Sequence, residues 1–198
     1  MEVPPVRLEG RLVVLEPLAE SHAEGLWRAA QDPEVWRWTH ADVGASRAAF
    51  DRWLEDALAE ARSGVSLPFA QLGTGGEPLG STRYMSIRPE HRGLEIGHTW
   101  LSSRAWGTGV NAEAKLLLLR HAFEELGAMR VEFKTDAKNE RSRAALAALP
   151  ARFEGVFAKH MLVRDGAVRD SAWYAVTDDE WPAVRAALEA RVARFLDG

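Results

Sequence analysis

The sequence predicts a mixed α/β (α+β) fold: a mostly antiparallel central sheet flanked by helices, with one parallel strand pair. Three observations lead there. Strand-like and helix-like patterns run in the order strand, helices, three strands, helix, strand, helix, two strands, helix. Gly73, Gly75 and Gly76 separate two strand-like runs as a hairpin loop does, and Asp165-Gly166 does the same near the C-terminus. Only the stretch 94–135 is a strand–helix–strand crossover of the length a parallel pair requires.

The elements follow in order. Residues 6–15 read as one strand. Ser21-His22-Ala23-Glu24 is a capping-box pattern that opens a helix, and Asp32-Pro33 is a second start signal. Phe50, Trp53, Leu54, Ala57, Leu58 and Ala61 recur at helical spacing up to Gly64. Strand-like runs cover about 65–72, 79–87 and 94–101. In the third, alternation puts Leu94, Ile96, His98 and Trp100 on one face, and Glu95, Gly97 and Thr99 on the other. Residues 111–126 form a strong helix with Leu116, Leu119, Phe123 and Leu126 as its stripe and Gly127 at its end. A strand at 130–135, a helix near 140–149 and strands at 153–163 and 171–176 come next. Thr177 and Glu180 mark the start of a last helix, with Val184, Leu188, Val192 and Phe195 inward.

Composition narrows the function. The 198 residues are expected to form one domain, 46% of them hydrophobic and 27% charged. A net charge of −4 gives no sign of direct nucleic-acid binding. The absence of cysteine excludes disulfides, thiol nucleophiles and thiolate-ligated metals, and no metal is expected. No signal-peptide pattern opens the chain, and no run reaches the ~18 apolar residues of a membrane span. The expected location is the cytoplasm.

The most informative stretch is Arg104-Ala105-Trp106-Gly107-Thr108-Gly109-Val110-Asn111, between a strand and a strong helix. A helix start leaves N–H groups unpaired and carries partial positive charge, and glycines let the backbone curl close to a ligand. The loop is thus a candidate anion cradle for a pyrophosphate, with Arg104 as a planar cation at its rim. A tight turn without ligand is one alternative. A dinucleotide fingerprint is another, since Gly107 to Ala112 fits G-x-G-x-x-A. Against it, Ser102 to Trp106 intervene between strand and glycines, and the later strands form a hairpin rather than a second parallel unit. No G-K-[ST] follows, which excludes a P-loop.

Arg104 to Gly109 matches Q/R-x-x-G-x-G/A and resembles the signature of the GNAT superfamily of N-acetyltransferases. The likeness covers nearly the whole chain. Leu94-Glu95-Ile96-Gly97 resembles the family's fourth strand, and Asn139-Glu140-Arg141-Ser142 its N-x-x-S helix start. Phe153 to Val156, with Asp165-Gly166 and Arg169-Asp170, resembles its sixth and seventh strands. Leu8-Glu9-Gly10-Arg11 with Asp32-Pro33-Glu34-Val35 is similar to the ribosomal-protein N-terminal (alanine/serine) acetyltransferase branch.

The resemblance implies an acetyl-CoA donor held where two strands splay around a coenzyme A cleft. Backbone groups near Trp100, Leu101 and Ser102 would pair with pantetheine. Arg104, Trp106, Gly107, Thr108, Gly109 and Val110 would form the pyrophosphate loop. Asn111 either contacts the ligand or caps the helix. Asn139 reaches the coenzyme, caps its own helix, or both. Ser142 stands where the branch places a serine near the sulfur, a candidate proton donor. The family's usual tyrosine acid falls at Leu146 and a sixth-strand glutamate at Met161, two departures. A thiol of pKa about 8–9 leaves without a strong acid. Deprotonating an α-amine of pKa near 8 costs only ~1.4 kcal/mol at pH 7, against ~4.6 for a lysine side chain. Glu95 is the candidate base and His98 the second. Trp36 and Trp38 read either as an aromatic acceptor pocket or as core; Trp27, Trp53 and Trp181 read as core. The acceptor is a primary amine, a protein N-terminus among the candidates, and a homodimer is common in this fold. A non-catalytic coenzyme-A-binding or interaction module is the competing class.

Overall fold

The computed structural model describes residues 1–197. It contains eight strands: β1 (Leu8–Glu9), β2 (Val14–Pro17), β3 (Leu67–Leu72), β4 (Pro78–Arg88), β5 (Gly93–Leu101), β6 (Arg130–Asp136), β7 (Arg152–Leu162) and β8 (Val168–Thr177). Five α-helices accompany them: α1 (Ala23–Ala29), α2 (Arg47–Ser63), α3 (Val110–Arg120), α4 (Glu140–Ala147) and α5 (Trp181–Leu196). One sheet results, ordered β1-β2-β3-β4-β5-β6-β8-β7. Among the described residues its only parallel pair is β5 with β6, around the α3 crossover, as the sequence predicts. The hairpins at Gly73–Gly76 and at Asp165-Gly166 also form.

Two apolar layers sandwich the sheet. On one face α3 and α5 pack over Phe69, Tyr84, Leu94, Ile96 and Val131. On the other, α1, α2 and their connection pack through Leu26, Trp36, Phe50 and Leu54 against Ala70, Leu72 and Trp100. The α2 helix has the expected termini: Ser46 Oγ accepts the Ala49 N–H, and Gly64 closes it at φ 72°.

Local chemistry departs from expectation at several places. The single strand at 6–15 is instead a hairpin, because the chain turns back at Gly10. At α1 the cap is not Ser21; the His22 ring accepts the Ala19 N–H at 3.1 Å. Asp32 does cap as expected, accepting from Glu34, though only a 3-10 turn follows. On α5, Val184, Leu188 and Val192 are buried, whereas Phe195 is 39% exposed at the helix end.

The helix α3 is covered on almost every side, and its sequence stripe understates this. Leu116 to Leu119 are all buried, as are the polar Glu113 and Lys115. Phe123 and Leu126 are only half-buried, where the helix loosens into a π turn before Gly127. Glu113 explains the hairpin turn. Its Oε1 accepts the Arg11 N–H at 2.9 Å, and its Oε2 accepts those of Leu12 at 2.6 Å and Val13 at 2.9 Å. Gly10 is needed there, since a Cβ would sit 2.3 Å from the same carboxylate. One buried charge therefore satisfies a turn that strand pairing leaves open. Lys115, two residues on, donates to Thr99 Oγ1 at 2.8 Å, and burial pushes its pKa from the usual 10.5 down to about 7.

Two expectations follow. Glu113→Ala strands three N–H donors, one buried and two part-buried, and should cost about 2–4 kcal/mol in denaturant unfolding; a loss under about 1 kcal/mol would show that the turn holds without the carboxylate. Between pH 7 and 10 the unfolded chain keeps a Lys115 proton that the native state has released. Stability should therefore rise with pH across that window, by at most about 1.4 kcal/mol per unit, and the rise should vanish in Lys115→Met.

Candidate active site

Parallel pairing of β5 with β6 involves Gly93 with Arg130, Leu94 with Val131 and Glu95 with Glu132, and ends there. Beyond Glu95, β5 continues only alongside β4, to Leu101. The gap opens into a cleft of about 920 Å³. Trp38 and His40 line it from the α1–α2 connection, and Lys115 and Phe195 from the α3/α5 side.

At one end stands the glycine loop. Gly107 and Gly109 both adopt positive φ, 76° and 86°, so the curl read from the sequence forms. No side chain fits at Gly109, where a Cβ would meet Phe195 at 2.7 Å and Leu12 at 2.8 Å; at Gly107 the backbone angle alone is the constraint. Among the described residues, no acceptor takes the N–H groups of Thr108, Gly109 or Val110. They open the N-terminus of α3, where the helix dipole adds positive charge. The Thr108 hydroxyl is engaged by the Ala105 carbonyl at 2.7 Å, so this residue offers its backbone.

Other expected donor contacts are distributed unevenly. Gly107, Gly109 and Asn111 line the cleft; Ser102, Arg104, Thr108 and Val110 do not. The Arg104 guanidinium donates to the Pro78 carbonyl at 3.2 Å, so it braces β4 rather than crowning the loop. Asn111 lies inside α3, whose N-cap is Gly109, which removes its capping alternative. The Ser102 N–H pairs with Leu79 at 2.7 Å as part of the ladder, and the Leu101 carbonyl accepts the Trp106 indole N–H at 3.0 Å. Trp106 thus folds over the slot, with Arg141 stacked 3.5 Å from its ring centroid. Asn139 caps α4 by accepting the Ser142 N–H at 3.0 Å, and both residues line the cleft.

Mid-cleft, alternation along β5 breaks. His98 has φ 47°, and the register slips between Ser81–Trp100 and Arg83–Gly97. This is a β-bulge. It corrects the single face assigned to Leu94, Ile96, His98 and Trp100: Leu94 and Ile96 pack toward α3, whereas Trp100 lies between Trp36 and Trp53, at 5.1 and 5.7 Å. The His98 ring instead faces the cleft, 5.0 Å from that of His40. Although the ring remains exposed to solvent, the cleft atoms packed around it, then the charges of Arg83, Lys134 and Arg169 and the neighbouring His40, push its pKa down to about 3. His40 is shifted downward too, by burial and then by Arg169, Arg83 and Lys134.

Glu95 lines the same region and is 2% exposed. Its Oε2 accepts from Lys134 Nζ at 3.0 Å and from Ser86 at 3.3 Å, while Oε1 lies beside Gly97. The aromatic alternatives split. Trp36 is core, its indole N–H bound by the Ala30 carbonyl at 2.7 Å, whereas half-buried Trp38 forms cleft wall. Met161 also lines the cleft, opposite Arg169 on β8, and His160 turns to Ser171 and Trp173. Sequence reading missed Lys115, Arg83, Lys134 and Arg169 as cleft residues. Only Arg169 carried a signal, as the cross-strand partner of the departure at Met161.

No group of three or more metal-ligating side chains occurs among the described residues, and no helix there is long and apolar enough to cross a membrane. A family model described as an acetyltransferase (GNAT) domain matches residues 12–151. No curated protein matches the chain. One solved structure, described as a presumed acetyltransferase, is 46% identical over 97% of this chain and 96% of its own, with a TM-score of 0.89. A GCN5-related N-acetyltransferase from Brucella melitensis is 32% identical over 97% of this chain and 87% of its own, with a TM-score of 0.90. Mycobacterium smegmatis RimJ, solved with CoA-disulfide, is 29% identical over 96% and 93%, with a TM-score of 0.78, and fits the branch resemblance. A family model that reaches from the N-terminal hairpin past α4, and neighbours aligned along nearly the whole chain, lead to one conclusion: this protein belongs to the GNAT family of N-acetyltransferases.

Proposed function

We propose that this chain, as one GNAT-like domain over residues 1–198, transfers an acetyl group from acetyl-CoA to a primary amine by direct attack on the thioester. The carrying observation is the trio of unengaged N–H groups at Thr108, Gly109 and Val110, at a helix N-terminus beside the splayed strands. This is chemistry suited to a diphosphate. The RimJ structure with CoA-disulfide supports the same ligand class. Asn139 and Asn111 flank the path from the loop, and the β5 edge offers pantetheine its backbone once the Trp106 indole yields the Leu101 carbonyl.

The donor supplies an acetyl thioester. The protein's residues position the amine and manage its proton. Glu95 is our base, with Oε1 available through a water while Lys134 and Ser86 hold Oε2. His98 stays neutral across the working pH range and is a weak proton acceptor, so its proposed role is to orient the amine. Ser142 is the proposed donor to the departing thiolate. A protein N-terminal α-amine remains our first acceptor to test, because it needs the least help in losing its proton. Phe157, Leu162 and Val168 are exposed at the outer β7–β8 hairpin, which supports a homodimer through that edge. A cytoplasmic location accords with this chemistry.

Gly107→Val meets nothing within 4 Å and should fold, yet its backbone angle disfavours the substitution. Calorimetry should show acetyl-CoA binding weakened at least about tenfold; unchanged affinity would remove the cradle from the mechanism. Glu95→Gln should lower kcat/KM by about 10²-fold with donor affinity intact. With its pKa near 3, His98 contributes no limb to a kcat/KM profile between pH 5 and 9, and His98→Gln should leave both limbs in place. A shifted limb would return the base role to His98.

A further inference from the structure

The acceptor half of the cleft carries one charge that no protein group contacts. Arg169 opens β8 beside Val168, lines the cleft and is only 8% exposed. Among the described residues its guanidinium makes no ion pair or hydrogen bond, and its Nε is buried without a partner. Its cross-strand neighbour is the apolar Met161. Two carboxylates, Asp136 and Glu95, attract it from a distance without touching it: Glu95 is held by Lys134 at 3.0 Å, and Asp136 accepts the Lys138 N–H at 2.8 Å. His40 and His98 are both held toward the neutral form, so they add no charge of their own.

A buried guanidinium without a contacting anion is expensive, and at Arg169 the desolvation outweighs the attraction of the distant Asp136 and Glu95. It is tolerated where a ligand completes the pair, and the planar fork of arginine matches a carboxylate in two-point fashion. Arg169 lines the same cleft as the glycine loop and the candidate base, and its field reaches Glu95, His40 and His98.

We propose that Arg169 is the recognition point for a carboxylate carried by the amine acceptor, so that the preferred acceptors are amines with an acid group near the nitrogen. A free α-amino acid and a peptide with an acidic side chain close to its N-terminus share this chemistry. A carboxylate on the acyl group is the other possible source. The proposal rests on the acetyltransferase reading and names the substrate class of that same site.

The test uses the full chain saturated with coenzyme A and measures binding by calorimetry, then turnover with acetyl-CoA. The panel pairs each free amino acid with its amide, and an N-terminal Ala-Glu peptide with Ala-Gln. The carboxylate form should bind and turn over at least about 30-fold better than its neutral twin. Arg169→Gln should erase that preference by raising KM for the acids alone, leaving acetyl-CoA affinity unchanged, and Arg169→Lys should restore part of it. Equal binding of acid and neutral forms to the wild-type chain overturns the proposal without needing any variant. A preference for succinyl-CoA over acetyl-CoA that disappears in Arg169→Gln also overturns it, by assigning the anion to the donor. If the acids bind through Arg169 but no amine is acetylated, the acetyltransferase reading of this site fails and the carboxylate assignment stands.

Discussion

The three-residue limit on β5–β6 pairing is the constraint from which the site follows. Parallel strands joined by a crossover helix normally continue side by side. Here they part after Glu95 and Glu132, and β5 stays attached only to β4. The parting gives the α3 N-terminus an open approach, makes room for a ligand between strands, and brings residues from both faces of the sheet to one cleft. The bulge at His98 sits just past the divergence and re-aims the next residues. Without it Trp100 would lie on the α3 face; with it the indole joins Trp36 and Trp53 in the opposite layer.

The cleft has two electrostatic ends. The loop end attracts anions through main-chain donors and a helix dipole, at no cost in side-chain entropy. The other end is built from side-chain cations: Arg83 is paired to α2, Lys134 to β5, and Arg169 to no protein group. The surrounding cleft atoms, and then these cations, hold two imidazoles toward neutrality.

Backbone-determined features were legible in the sequence. Gly64, Gly107 and Gly109 each occupy the left-handed region their contexts required, Asp32 and Asn139 cap as read, and the crossover is where its length placed it. Features that depend on one extra residue or on a distant partner were not. Alternation over 94–101 cannot reveal a bulge, because the slip is set by pairing with β4. Nothing local distinguishes a strand over 6–15 from a hairpin whose turn is held by a carboxylate a hundred residues away. Glu113 and Lys115 lie off the apolar stripe of α3, and nothing in the pattern marks them as buried, yet the N-terminal turn and the rest of the core cover that side too. In the site, the glycine loop and Asn139 could be read from motif and capping rules. Arg104 bracing β4 and Trp106 closing on Leu101 are tertiary contacts with no local signature.

The Glu113 tether also orders the birth of the molecule. Its bonds to Arg11, Leu12 and Val13 span separations of 100 to 102 residues. During synthesis this hairpin must wait, its amides hydrated, until residue 113 has left the ribosome and α3 can wind. Loop closure over such a distance is slow relative to local winding. The nascent chain therefore commits α3 before the hairpin is fastened, and the last stitch of that turn is made by a residue about a hundred positions further on.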